Sequence, residues 1–163
     1  LPTLLIAKQP DLGTPAPSEK EREMTKLPTW FFATAAIFAL CGMVWGIQMS
    51  ATHDHTLSPA HGHLNLIGFV SMSVFGSYYA LTPKAAESPL AAVHFVLTVA
   101  TVVVLTPGIA MAITSQGETL AQVGSVLAVV SMAVFVFTIL RHGVGSVESQ
   151  PIQEHEVQPQ PAE

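Results

Sequence analysis

Long apolar runs broken by short polar stretches dominate the pattern of this chain. TWFFATAAIFALCGMVWGIQM covers Thr29 to Met49, and LNLIGFVSMSVFGSYYAL covers Leu64 to Leu81. LAAVHFVLTVATVVVLTPGIAMAI follows from Leu90 to Ile113, and LAQVGSVLAVVSMAVFVFTIL from Leu120 to Leu140. None of these runs contains Asp, Glu, Lys or Arg. A helix rises 1.5 Å per residue, so about 20 residues cross the ~30 Å hydrocarbon layer. The pattern predicts an all-α membrane protein, a four-transmembrane-helix bundle over residues 28–142. The second helix lengthens if His61 begins it.

Three short links join the runs: Ser50 to Ala60, Thr82 to Pro89, and Thr114 to Thr119. Links this short make consecutive helices antiparallel neighbours. Pro107-Gly108 falls inside the third helix and is expected to bend it, because proline removes a backbone donor. Outside the bundle, residues 1–27 read as a disordered extension without an ordinary signal peptide, and Met24, followed by TKLPTW, reads as a natural start. Residues 143–163, rich in Gln, Pro and Glu, read as a disordered tail.

Composition agrees. Only 10% of the 163 residues are charged and half are hydrophobic, with a mean hydropathy of +0.49. A soluble domain carries about 25% charged residues. The net charge of −5 comes mostly from the tails. No basic patch with interleaved aromatics is present, which argues against nucleic acid as a partner. Cys41, the single cysteine, excludes an internal disulfide and reads as a small buried hydrophobe.

Charge also orients the chain. Lys8, Lys20, Arg22, Lys26, Lys84 and Arg141 all fall on the side shared by the termini and the second link. The positive-inside rule then makes both termini cytoplasmic, as in a multi-pass protein of a bacterial inner (cytoplasmic) membrane, with the first and third links facing the periplasm of a Gram-negative host. Trp30 and Trp45, near the ends of the first helix, fit the aromatic belt. Gly42 and Gly46 form a GxxxG that favours close helix packing.

Histidine carries the candidate chemistry. His61 and His63 open the second apolar run, near the outer surface. Residues two apart on an α-helix lie ~200° apart around its axis, so the pair faces nearly opposite ways. One metal ion cannot be chelated by both from a regular helix; if both are ligands, they serve two centres, one on each flank. Asn65 shares the His61 face, and Gly68, Met72 and Gly76 continue it, where small residues would let a flat group approach the backbone. The alternative is that both are interfacial histidines bonded to carbonyls, water or headgroups. His53 and His55, with Asp54, are candidate ligands for a second metal such as copper, or simply a solvated loop. His94 shares a stripe with Thr98 and Thr101 that reads as helix–helix hydrogen bonding.

AHGHLNLIGFVSMSVFGSYYALTP, Ala60 to Pro83, resembles the catalytic subunit of the haem–copper oxidase and nitric oxide reductase superfamily. It is similar there to the helix with H-x-H near its outer end and an aromatic-rich end closed by proline. The resemblance implies that His61 and His63 are haem ligands on opposite flanks. That family's subunit has about twelve helices in three arcs of four; this chain supplies one arc. It lacks the second histidine set for the copper centre, a His-Tyr cross-link motif and an acidic helix residue, so full oxidase or nitric oxide reductase activity is not expected. Three copies of an arc would rebuild the ring, with haem between chains, which makes a homotrimer the expected oligomer.

The function expected is therefore an integral membrane haem b protein for electron transfer or for gas or redox sensing, with a respiratory-chain redox partner. The alternatives are a copper- or haem-handling protein for oxidase assembly, and a structural accessory subunit without cofactor.

Overall fold

The computed structural model describes residues 26–145, and among them every regular element is helical. Helix α1 runs Lys26–Thr52. Helix α2 runs Ser58–Leu81 with mixed winding: α over Ser58–His63, π over Leu64–Ser71, and α again over Met72–Leu81. A single turn, α3, covers Pro83–Ala86. Helix α4 runs Pro89–Ile113 and α5 Thr119–His142. The four long helices, α1, α2, α4 and α5, are apolar enough to cross a bilayer, so the chain is a multi-pass membrane protein. Most of both expected tails lies outside the described residues.

The elements extend past the apolar runs because their ends carry helix-starting and helix-stopping residues. Pro59 lies in the first turn of α2, where a missing N–H costs nothing, so this helix starts three residues before His61. Ser88 caps α4 by accepting a hydrogen bond from the Leu90 amide, and Pro89 occupies the first turn. Gly143, with φ +70°, ends α5 while its amide donates to the Ile139 carbonyl at 2.8 Å.

Packing follows chain order: α1 lies along α2, α2 against α4, and α4 against α5. Glycines set the tightest contact. A β-carbon on Gly108 would lie 2.5 Å from the Ala121 amide nitrogen, and one on Gly124 would lie 2.6 Å from Leu105 Cα. The backbones of α4 and α5 therefore touch, which is how helices gain dispersion energy in a solvent as apolar as their own side chains. Ile37, Leu40, Val44 and Ile47 on α1, like Val126 and Val129 on α5, remain largely exposed, as lipid-facing residues do.

One end of the bundle, the charged end, gathers Lys26, Lys84 and Arg141 at the start of α1, the α2–α4 link and the close of α5. Aromatic packing secures it: Phe31 stacks on Tyr79 at 5.4 Å between centroids, and Phe75 meets Phe135 at 4.4 Å. Such pairs contribute about 0.5–1.5 kcal/mol each beyond area burial. Tyr78 Oη donates to the Gly143 carbonyl at 2.9 Å, and the Gly145 amide donates to Thr82 Oγ1 at 3.1 Å, tying the end of α5 to the α2–α4 link. The opposite, loop end carries the 53–57 and 114–118 links.

Candidate functional site

His61 and His63 lie in the last α-turn of α2 before its winding widens. A π-turn leaves carbonyls poorly served by the helical amides, and polar side chains compensate. Asn65 Nδ2 donates to the His61 carbonyl at 2.9 Å, and Ser71 Oγ donates to the Leu66 carbonyl five residues back at 3.0 Å.

His61 turns toward α1. Its Nε2 is 3.0 Å from the Gly42 carbonyl and 3.0 Å from Asn65 Nδ2. The carbonyl only accepts and the amide nitrogen only donates, so a single ring nitrogen serves one or the other. Either way Nε2 is engaged inside the chain. The ring also meets Trp45 edge-on, with centroids 5.9 Å apart. The GxxxG glycines create this contact: Gly42 accommodates the Asn65 amide, and a β-carbon on Gly46 would lie 3.4 Å from His61 Nε2.

The flank expected to admit a flat group is therefore filled by α1. Gly68 packs on Phe38, whose Cβ would lie 3.0 Å from an added β-carbon, and Met72 is fully buried. Asn65, Gly68 and Met72 make a helix–helix seam in this chain. The seam has a plain physical cause: small residues that would let a porphyrin approach the backbone also let a neighbouring helix do so, and α1 is tethered by a short link.

His63 lies on the other flank and is exposed. Its Nδ1 is 2.8 Å from the Pro59 carbonyl one turn back. A carbonyl must accept, so the proton is on Nδ1, and in the neutral ring Nε2 carries the lone pair. Leu66, Phe69 and Val70 follow on α2 as exposed apolar residues.

The loop carrying His53, Asp54 and His55 is exposed. His53 has φ +55° and closes α1. Asp54 accepts from the Thr56 amide at 3.0 Å, and hydrogen bonds from Thr56 hold its carboxyl below the ordinary 3.8. Among the described residues, no three His, Cys, Asp or Glu side chains converge to hold a metal ion.

One arrangement escaped the sequence reading. Tyr79 Oη of α2 is 3.0 Å from Nδ1 of His94 on α4, and both side chains are buried. The His94 ring stacks on Phe135 at 5.6 Å and tilts against Phe75 at 4.6 Å. Its Nε2 is buried without a hydrogen-bond partner among the described residues. The signal was present, since Tyr79 and His94 flank the short second link at the same depth. The expected hydrogen-bonding stripe does join helices: Thr98 Oγ1 lies 2.8 Å from Ser131 Oγ of α5.

No protein-family model, curated protein or solved structure matches the chain.

Proposed function

We propose that this chain is a membrane haem protein for electron transfer or for gas or redox sensing, with His63 as the axial ligand and the haem at a contact between copies. The observation that carries the reading is the His63–Pro59 bond. In the neutral ring it puts the proton on Nδ1 and the lone pair on Nε2, the arrangement a second-shell carbonyl gives a ligating imidazole.

The donor set favours haem over a bare ion. A structural metal held by side chains needs three or four of them, and no such group lies among the described residues. A porphyrin supplies four nitrogens itself and asks the protein for one or two axial ligands. It is also apolar, as are Leu66, Phe69 and Val70 beyond His63. His61 as placed would have to release Gly42 and Asn65 to reach iron. Its support for the cofactor is indirect, through the α1–α2 seam that orients α2.

A second axial ligand comes from a neighbouring copy. An imidazole on a lipid-exposed flank is costly unless covered, and α1 and α5 form no extensive contact that would close the row of helices. A ring of three copies covers both edges. Bound haem would supply one-electron exchange, and loss of one axial ligand would open a position for a diatomic gas. Lys26, Lys84 and Arg141 at one end support, by the positive-inside rule, the reading that this end is cytoplasmic and that the membrane is a bacterial inner one.

The test is the absorption spectrum of the purified full chain, oxidised and reduced, after haem supplementation. A Soret band present in the native chain and lost in His63→Ala is the expected result. Wild-type haem content in His63→Ala, copper bound without haem, or no pigment at all would each overturn the reading.

A further inference from the structure

The loop end of the bundle holds a pocket that the haem reading does not use. Trp45, Gln48, Met49 and Thr52 lie at i, i+3, i+4 and i+7 on α1 and so share one stripe. With Asp54 of the loop and Leu57 at the start of α2, they line a cavity of about 70 Å³. Met49 is buried, Trp45 and Leu57 are half-buried, and Gln48, Thr52 and Asp54 are exposed. The pocket therefore has an apolar floor and a polar mouth. His61 packs edge-on against the Trp45 indole, with centroids 5.9 Å apart, and holds it in place.

The mouth is rich in acceptors. Thr52 Oγ1 donates its proton to the Gln48 carbonyl at 2.9 Å, so toward the pocket it can only accept. Asp54 accepts from the Thr56 amide at 3.0 Å. A carboxylate has about four lone-pair sites, so this bond leaves it capacity. Gln48 adds an amide oxygen. Among the described residues, the loop end carries Asp54 and Glu118 but no Lys or Arg, so no Lys or Arg there neutralises the carboxylate. An anion beside an indole face is the pairing that holds an organic cation.

We propose that this pocket binds the primary ammonium of an aminophospholipid headgroup between the Asp54 carboxylate and the Trp45 ring. A primary ammonium brings three N–H donors to the acceptors of Asp54, Thr52 and Gln48, whereas a trimethylammonium brings none. A water-sized group needs about 10–15 Å³ of such space, so the ammonium and its first carbons fit. A lipid is the source the position favours. Tryptophan at this depth marks the headgroup level. Cys41, one turn below Trp45 on the same stripe, is exposed, as is Val44. The pocket thus opens onto the lipid-facing side of α1, where acyl chains can lie. The site does not depend on haem.

Native mass spectrometry of the purified full chain, with equimolar phosphatidylethanolamine and phosphatidylcholine of matched chains, tests it. Phosphatidylethanolamine adducts should exceed phosphatidylcholine adducts at least fivefold. Asp54→Asn keeps the acceptor for Thr56 but removes the charge, and should bring the ratio within twofold of one. No preference in the native chain, or an undiminished preference in Asp54→Asn, overturns the site. Glycerophosphoethanolamine, the same headgroup without acyl chains, separates the sources. It should fail to displace the lipid at equal concentration; equal competition would overturn the lipid as ligand and assign the pocket to a soluble amine. A second readout needs no variant of the fold: in bilayers containing ¹⁵N-ethanolamine lipid, the Asp54 carboxyl ¹³C must show dipolar contact with the headgroup nitrogen, and its absence also overturns the proposal.

Discussion

Asn65 lies so close to Gly42 that a β-carbon on the glycine would overlap the amide of the asparagine. The same amide holds the His61 carbonyl and touches the His61 ring. One glycine on α1 thus decides which way a histidine on α2 faces. Gly42→Ala should destabilise the bundle by about 1–3 kcal/mol, the usual range for overpacking. Unfolding in mixed micelles measures it. Asn65→Ala in the same chain should recover part of the loss, since the two sites are directly coupled.

Gly124→Ala should be less tolerated than Gly42→Ala. The atoms an added carbon would meet at Gly124 are the Cα, Cβ and amide nitrogen of Leu105, and backbone cannot swing aside as an amide side chain can. A loss of about 3 kcal/mol or more is expected, at the upper end for overpacking. By contrast, Gly62→Ala meets nothing within 4 Å and should gain up to about 1 kcal/mol of helix propensity. Parallel unfolding curves for the two variants check the ordering.

His61 and His63 should behave differently when removed. His61→Ala removes the ring that Gly42, Asn65 and Trp45 contact, while Asn65 keeps its bond to the backbone carbonyl at that position, and should lower stability by about 1–2 kcal/mol. His63→Ala loses only an exposed bond to a carbonyl of its own helix and should leave stability within about 0.5 kcal/mol of the native chain. Thermal unfolding of apo protein separates the pair independently of any pigment.

Asp54 gives the loop between α1 and α2 a pH dependence of known sign. Hydrogen bonds from Thr56 lower its carboxyl in the folded chain. Its contribution to loop order is complete above the ordinary carboxylate value and is lost as pH falls through the lowered folded value. The Thr56 amide should stay protected from exchange between pH 7 and pH 5 and lose protection only below 3.8. Amide exchange followed by NMR across that window checks it.

How much of this was legible in the chain differs between helices and their faces. The apolar run from Leu90 to Ile113 reappears as α4 with one residue added, Pro89, because proline starts a helix as readily as it stops one. The second run began later in the reading than α2 does, since the polar SPAHGH turn has no hydropathy of its own. The π-winding over Leu64–Ser71 left no mark that hydropathy could register. Nor did the pairing of Tyr79 with His94, which depends on how two helices rotate against each other.

Hydropathy summed over about 20 residues is a local property, and the bilayer acts as a solvent on each segment separately, so the spans, their links and the charged end followed from the sequence alone. Which flank of each helix faces protein did not. In water a buried face is apolar and a free face polar, but lipid is as apolar as a core, so the exposed and buried sides of α1 read alike. Only the assembled helices decided that His61 turns inward, that His63 faces out, and that the His94 imidazole is enclosed beside Tyr79.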